Sequence, residues 1–240
     1  MMRSSTIKAG PDHVDFKEVL APTPFQDRVD SYSLTQDWAS WNGYKTAKTY
    51  DTLASEYFAI RSTCGVMDLT PMEKYRVGGP DALHFLNRLV TRDISGLQPN
   101  RVTYVVWCND EGKVLDDGTI FSLGGGEYRL CSQHHQLDWL LISSLGFDVT
   151  IEEETHSIAA LAVQGPTSYS VLSAAGIQEL NGLKPFGMIN ARVNGIECMV
   201  SRTGFTGDLG YEIWTDPSNA SAIWDAIFAL KDQGLFAIRP

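Results

Sequence analysis

Two adjacent carboxylates, Asp116 and Asp117, lie in the segment NDEGKVLDDGTIF, which reads as a turn followed by a strand. Neighbouring residues of a strand point to opposite faces, so Asp117 shares a face with Leu115. We therefore expect the Asp117 carboxylate on an apolar side or in a cleft lined by it. Burial of an unpaired carboxylate is costly, which favours a functional role. The alternative is a turn carboxylate that accepts hydrogen bonds from backbone N–H groups.

A glycine-rich stretch, SRTGFTGDLGYE, spaces Gly204, Gly207 and Gly210 three residues apart. Glycines permit tight turns and a close approach of the backbone to a ligand. The spacing differs from the dinucleotide-binding G-x-G-x-x-G pattern, and no βαβ pattern surrounds it. Glu212 follows where the chain enters a strand, so it is either solvated or holds the polar edge of a ligand. The alternative for the stretch is a structural loop between two strands.

Five aromatic residues near these segments could enclose a planar ligand, although each could equally belong to a core. They are Tyr104, Trp107, Phe186, Phe205 and Tyr211.

The composition argues against several classes of function. The 240 residues carry a formal net charge of -10, which argues against nucleic acid as a partner. The four cysteines form no CxxC pair, and the adjacent His134 and His135 would point in different directions on a helix, so no metal site is predicted. Residues 1–10 lack the apolar core of a signal peptide, and no apolar run approaches the length of a membrane span. These features predict a cytoplasmic protein.

The order of predicted elements favours an α+β fold. The stretch from Lys74 to Ile151 reads as strand, helix, strands, helix and strand, which resembles a ferredoxin-like split βαβ unit. After it come the buried strand SIAALAVQ, a helix, a hairpin at Asn194-Gly195 and an amphipathic helix from about Pro217 to Lys231. An earlier helix, DTLASEYFAIR, is expected to begin with Asp51 as its N-cap.

Six segments, in order, resemble the folate-dependent aminomethyltransferase family, whose best-known member is the glycine cleavage T-protein. They are TPF, AIRSTCGVMDLTPM, VGGPDALHFLNRLVTRDIS, WCNDEGKVLDD, LAVQGPTS and VSRTGFTGDLGYE. The resemblance implies a multi-lobed fold with a discontinuous, antiparallel-sheet first lobe (residues 1–67 and 157–240) that binds folate. It implies a ferredoxin-like second lobe (residues 68–156). The family's chain continues past the position of Pro240, so we expect a truncated chain without the usual C-terminal β-barrel lobe.

The resemblance also implies tetrahydrofolate as the cofactor and gives roles by position. Asp117 matches the family's catalytic aspartate, which anchors the folate and makes a nitrogen beside the ring more nucleophilic. Glu212 matches the glutamate that recognises the pterin through a pair of donors. Tyr104, Phe186 and Phe205 match aromatic positions that enclose the pterin, the last two being tyrosine in some relatives.

Three segments depart from the T-protein pattern and would shape the side of the site that faces the one-carbon donor. Thr70-Pro71-Met72 replaces the usual SHM, Cys131-Ser132 falls near an expected asparagine, and QDWASWNGYK is unlike the housekeeping enzyme. Two donor classes stay open: an aminomethyl group on a lipoyl carrier protein, or a small methylated amine, thioether or ether. The departures favour the second class, and with it a demethylating methyltransferase.

Two other interpretations remain. One is a non-catalytic folate-binding protein of the iron–sulfur cluster maintenance type, which shares the fold. Its K-G-C-Y-x-G-Q-E motif is missing from these 240 residues, and the retained Asp116-Asp117 pair favours catalysis. The other is that Asp117 and Glu212 are structural and that this stretch of chain binds nothing.

Overall fold

A computed structural model describes residues 19–240, which contain six α-helices and thirteen strands in three sheets. The helices are α1 (Gln26–Tyr32), α2 (Leu53–Ser62), α3 (Ala82–Leu89), α4 (Leu137–Ser143), α5 (Ser168–Ala174) and α6 (Ala220–Asp232). The strands are β1 (Asp37–Trp41), β2 (Tyr44–Thr49), β3 (Cys64–Asp68), β4 (Glu73–Gly78), β5 (Val102–Cys108), β6 (Val114–Gly124), β7 (Glu127–Ser132), β8 (Thr150–Glu153), β9 (Ala159–Gln164), β10 (Met188–Val193), β11 (Ile196–Ser201), β12 (Gly210–Thr215) and β13 (Ile238–Arg239). Strands β1 and β2 form a separate hairpin.

The first large sheet has six strands in the order β10-β11-β12-β9-β3-β13. Its neighbours are antiparallel, except that β13 runs parallel to β3. Strand β9 is apolar along almost its whole length and buried on both faces, which suits its central position. On one face of the sheet, Leu161 and Val163 of β9 share a core with Trp224 and Ile227 of α6. This packing fixes β12, the strand that carries Glu212.

The second large sheet has five antiparallel strands in the order β5-β6-β7-β4-β8. Helix α3 follows β4 and helix α4 follows β7, and both pack in one core with the sheet through residues such as Phe85 and Leu140. The order β8-β4-β7-β6 is that of a ferredoxin-like split βαβ unit, with β5 added at the edge. The predicted α+β class with a ferredoxin-like unit is therefore confirmed.

The two large sheets face each other across a third core. Ala162 of β9 and Trp214 of β12 contribute from one side, and Phe121 of β6 and Cys131 of β7 contribute from the other. The Phe121 and Trp214 rings meet edge to face with their centroids 5.0 Å apart. The space between the sheets is thus closed where these side chains meet and can open only beyond them.

The six-stranded sheet draws its strands from residues 64–68 and 159–239, and the five-stranded sheet lies between them in the chain. The predicted lobe boundaries, 1–67 with 157–240 and 68–156, stay a prediction, and residues 1–18 of the first range lie outside the described residues. Within residues 19–240, no helix has the length and apolar character needed to cross a bilayer.

Gly118 lies in β6 at a point where no side chain fits. A Cβ at this position would collide with the carbonyl oxygen of Cys131 on β7. We expect Gly118→Ala to force the two strands apart and to lower the free energy of unfolding by about 3 kcal/mol, measured by chemical denaturation. Gly96→Ala is the control, since a Cβ there meets nothing within 4 Å. Equal stability of the two variants would contradict this strand packing.

Candidate functional site

The two candidate carboxylates lie on facing strands. Side chains alternate along a strand, so Asp117 shares a face of β6 with Phe121, and Glu212 shares a face of β12 with Trp214. Because Phe121 and Trp214 pack against each other, both carboxylates belong to the faces that look into the space between the sheets. Asp117 and Glu212 lie far apart in the sequence, but in the fold they therefore face the same space between the sheets.

Asp117 is exposed, which contradicts burial on an apolar side, whereas the expected position in a cleft stays a prediction. Leu115, on the same face, is 37% exposed, because this end of β6 extends past the packed layer. Asp117 is nevertheless oriented: its Oδ2 accepts a hydrogen bond of 2.8 Å from the Tyr104 hydroxyl. That hydrogen bond raises the pKa of the Tyr104 hydroxyl, so the hydroxyl stays protonated as the donor.

Asp116 is the buried member of the pair. Its Oδ2 accepts a 2.9 Å hydrogen bond from the backbone N–H of His134, and its Oδ1 accepts one of 2.9 Å from the N–H of Asp117. These contacts attach the segment after β7 to β6. The carboxylate that accepts hydrogen bonds from backbone N–H groups, the alternative considered for Asp117, is thus that of Asp116.

Glu212 is buried, and both of its side-chain hydrogen bonds end on Oε2. Thr203 donates at 2.5 Å and Ser201 at 3.5 Å. Burial raises the pKa of Glu212, while the two hydroxyls act in the opposite direction. In the described part of the chain, no lysine or arginine forms an ion pair with this carboxylate. Its other oxygen, Oε1, is the atom to which a ligand can donate.

The loop that carries Phe186 connects the two halves of the site. The backbone N–H of Phe186 donates to the carbonyl of Arg202 at 3.0 Å. The carbonyl of Phe186 accepts from the backbone N–H of Val102 at 2.8 Å. Arg202 precedes the Thr203 that holds Glu212, and Val102 lies two residues before Tyr104. Phe186 has a φ of 57°, a conformation that costs a non-glycine residue about 1 kcal/mol or more. The residue as a whole is 43% exposed.

The glycine-rich loop wraps around a side chain of the protein itself. A Cβ on Gly204 or Gly210 would overlap the amide group of Gln164. Gln164 Nε2 donates to the carbonyls of Thr203 at 3.2 Å and Tyr211 at 3.1 Å. Gly204 and Gly210 therefore have a structural role, as in a loop that connects two strands. Gln164 was not singled out from the sequence, because it lies far away in the chain at the end of β9.

We expect Gln164→Ala to lower the free energy of unfolding by about 2–3 kcal/mol, because buried carbonyls of the loop lose their donors. The loop should also exchange its amide hydrogens faster, which hydrogen exchange over residues 202–209 can measure. Gln98→Ala is the control, since Gln98 is exposed and its amide bonds only the nearby Gly96 carbonyl. Similar losses in both variants would contradict this role of Gln164.

Two cavities lie near the interface between the sheets. The smaller, of about 220 Å³, is lined by Phe205 together with Trp41, Asp68 and Ala162. Ala162 is the register partner of Glu212 on β12, which puts this cavity next to the candidate site. Phe205 itself is 70% exposed at the tip of the glycine-rich loop.

The larger cleft, of about 880 Å³, lies at the opposite end of β6, near Leu123. It is rimmed by charged residues such as Arg129, Arg192 and Glu197. This cleft is lined by none of the candidate site residues Tyr104, Asp117, Phe186, Phe205 and Glu212. The smaller cavity is lined by one of the candidate residues, Phe205, and by Ala162, the register partner of Glu212.

The two facing sheets define a two-part α+β protein with cavities near the interface between the sheets. The chain belongs to the family described as the GCVT N-terminal domain, whose model matches residues 6–238. An aminomethyltransferase of Bacillus subtilis (strain 168) is 34% identical over 220 residues, which cover 89% of this chain and 60% of that protein. One from Clostridium botulinum (strain Okra / Type B1) is 34% identical over 225 residues, with 91% and 60% covered. The chain thus spans about 60% of the length of these relatives.

Two solved structures share the fold. The glycine cleavage system aminomethyltransferase T from Bartonella henselae superposes with a TM-score of 0.79 at 22% identity, covering 92% of this chain and 60% of that one. One chain of the heterotetrameric sarcosine oxidase from Corynebacterium sp. U-96 superposes with a TM-score of 0.56 at 13% identity. The match covers 90% of this chain and 96% of that one. At these identities the likeness concerns the fold alone.

Proposed function

We propose that this chain binds tetrahydrofolate between its two large sheets and that the protein transfers a one-carbon unit to it from a small donor. Membership of the GCVT N-terminal domain family supports the proposal, as do the matching relatives named aminomethyltransferase. The observation that carries it is the buried Glu212 carboxylate, which lacks a cationic partner among the described residues and faces the same space as Asp117.

Glu212 is suited to the polar edge of a pterin. An aminopyrimidine edge presents two N–H donors side by side, and a carboxylate can accept both. Such donors would favour the ionised carboxylate, which burial otherwise disfavours. Ser201 and Thr203 already hold the side chain in place, so little freedom is lost on binding. The exposed rings of Phe186 and Phe205 offer flat faces for the heterocycle.

Asp117 is suited to assist the transfer itself. A folate nitrogen attacks the donor carbon, a new C–N bond forms, and the bond from that carbon to the donor heteroatom breaks with its electron pair. The nitrogen becomes more acidic as the bond forms and gives up its proton. In our proposal the Asp117 carboxylate, oriented by Tyr104, stabilises the positive charge and accepts that proton.

The donor side is formed by the β1–β2 hairpin. Its tip is attached to Pro71, in one of the other departing segments, and to Gln133, the residue after Cys131-Ser132: Asn42 Nδ2 donates to the Pro71 carbonyl at 2.8 Å and to the Gln133 carbonyl at 2.9 Å. Trp41 Nε1 also donates to Gln133, at 3.1 Å. The small cavity beneath combines the Trp41 ring with the buried Asp68 carboxylate. The small volume and the Trp41 face favour a small methylated donor over a lipoyl arm; Lys45 and Lys48 also line the cavity, so its charge alone does not select a cation.

Asn42→Gly tests this assignment, because glycine keeps the left-handed turn and removes only the side chain. We expect a several-fold rise in KM for the donor with an unchanged Kd for tetrahydrofolate. Asn194→Gly is the matched control: it lies in the other Asn-Gly hairpin turn with the same φ of 47°. An unchanged donor KM in Asn42→Gly would remove the hairpin from the donor site.

One-carbon transfer itself can be tested with the 240-residue chain, tetrahydrofolate and each donor class, the folate products being identified by mass spectrometry. We expect product with free methylated amines. Product only with an aminomethyl-loaded lipoyl carrier protein would contradict the donor assignment but would support the proposed transferase activity. Folate binding without product from any donor would favour the non-catalytic, iron–sulfur maintenance alternative.

A further inference from the structure

A second polar cluster lies at the end of the five-stranded sheet where β4 begins. It consists of Glu73, His135 and Glu153, and one side-chain oxygen or ring nitrogen of each lies within 4.8 Å of those of the other two. His135 Nε2 is 3.4 Å from Glu153 Oε2. The cluster takes no part in the function proposed above.

The sheet register explains why these residues meet. Glu73 opens β4, and Tyr75, two residues on, pairs with Glu153 at the end of β8. Alternation puts Glu73, Tyr75 and Glu153 on the same face, the one covered by helices α3 and α4. His135 approaches from the segment between β7 and α4, with its ring edge-on to Tyr75 at 6.3 Å between centroids.

The charges on the two faces of the sheet differ. On the opposite face, Glu154 pairs with Arg129 at 2.8 Å and with Arg76 at 3.5 Å. On the cluster's face, the carboxylate of Glu73 is buried, and its Oε2 accepts a 2.9 Å hydrogen bond from the Thr155 hydroxyl. Over residues 19–240, neither Glu73 nor Glu153 forms an ion pair with a lysine or arginine. Two neighbouring carboxylates on this face therefore have an imidazole beside them and no fixed cation.

The nearest lysine points elsewhere. Lys74 is fully buried, and its ammonium donates to the carbonyls of Thr70 and Met72, both at 2.8 Å. Its place next to Glu73 in a strand directs it to the other face of the sheet. Within residues 19–240, the Lys74 ammonium therefore does not pair with Glu73 or Glu153.

We propose that Glu73, Glu153 and His135 bind one divalent first-row transition metal ion, such as Zn²⁺. An imidazole with two carboxylates favours such an ion over Mg²⁺ or Ca²⁺, which prefer oxygen ligands alone. Metal–ligand bonds of about 2.0–2.2 Å place ligand atoms roughly 3–3.5 Å apart. The side chains of His135 and Glu153 are 53% and 28% exposed, so they have room to close on an ion held by the buried Glu73.

The ion would stabilise the segment between β7 and α4. His135 lies two residues after Gln133, whose carbonyl accepts the hydrogen bonds of Trp41 and Asn42. A metal bound here therefore supports the hairpin from beneath without contacting the folate site.

The test is a calorimetric titration of Zn²⁺ into the tag-free 240-residue chain, compared with His135→Gln, Glu153→Gln and Glu152→Gln. Glu152 is the matched control, an exposed carboxylate next to Glu153 on the opposite face. We expect one equivalent of Zn²⁺ to bind wild type and Glu152→Gln with similar Kd. The Kd should rise about tenfold or more in His135→Gln and Glu153→Gln. Circular dichroism confirms that these surface variants fold.

Zn²⁺ should also raise the Tm of wild type and Glu152→Gln by more than that of His135→Gln. Failure of wild type to bind one equivalent would overturn the proposal. So would equal weakening in Glu152→Gln, which would mean diffuse attraction to an acidic surface, or full affinity in His135→Gln. Folate binding is read separately, so failure of this proposal can be distinguished from failure of the proposed function.

Discussion

Asp117→Asn is expected to lower the turnover number for one-carbon transfer by about 10²–10⁴-fold, the range in which positioned acid–base groups contribute. Asparagine keeps the size and can still accept from the Tyr104 hydroxyl, but it cannot take a proton or stabilise a positive charge. The free energy of unfolding should change by only about 0.5 kcal/mol, because Asp117 is exposed. Steady-state kinetics with a saturating donor measure the effect.

Two further variants sharpen this result. Asp110→Asn removes an exposed carboxylate from the preceding turn and should leave turnover unchanged. Asp116→Asn should instead reduce stability, because Asp116 is buried and accepts the backbone N–H groups of His134 and Asp117. A folded Asp117→Asn variant with wild-type turnover would show that this carboxylate is not catalytic.

Glu212→Gln is expected to weaken tetrahydrofolate binding roughly a hundredfold. The variant replaces a charge-assisted pair of hydrogen bonds, worth about 3 kcal/mol, by an amide that presents an N–H group to the ligand's donors. Thr203 and Ser201 can still donate to the glutamine oxygen, so the loop should stay in place. Isothermal titration of tetrahydrofolate measures the change in Kd.

The same variant should be more stable than wild type at neutral pH without ligand. Burial raises the pKa of Glu212, so the folded chain holds this proton more tightly than the unfolded chain does. The stability contributed by the protonated carboxyl is present at low pH and is lost as the pH rises from the ordinary glutamate value through the raised one. Glutamine does not titrate, so its advantage should grow across that window. An advantage that shrinks with rising pH would contradict the sign of this shift.

Much of the fold could be predicted from local patterns. The alternation of strands and helices from Lys74 onward was sufficient for the ferredoxin-like unit, and Asn194-Gly195 forms the predicted hairpin turn. A cap is harder to place, since several residues before a helix can serve. Thr52, not Asp51, caps α2, its hydroxyl accepting from the N–H of Ser55 at 3.2 Å.

The site could be predicted only in part, because burial depends on what the rest of the chain covers. Strand periodicity correctly separates the faces of Asp116 and Asp117, but the residues that cover or uncover each face come from distant segments. The partners of Glu212 show the same limit: Ser201 follows from pairing β11 with β12, whereas Thr203 lies in a loop with no periodic signal. The Glu73 cluster has no sequence signal, because its three residues come from β4, β8 and the segment between β7 and α4.

We propose that tetrahydrofolate binds at the end of the interface that holds Glu212. A thermal-shift titration of the chain tests it most directly, with Glu212→Gln beside Glu197→Gln, whose carboxylate rims the larger cleft. At about a hundred times Kd, binding should stabilise wild type and Glu197→Gln by about 2.7 kcal/mol, a rise in Tm of roughly 5–10 °C. Glu212→Gln should show little or no rise. A rise in Tm that is lost in Glu197→Gln and kept in Glu212→Gln, or that is absent from wild type, would contradict folate binding at Glu212.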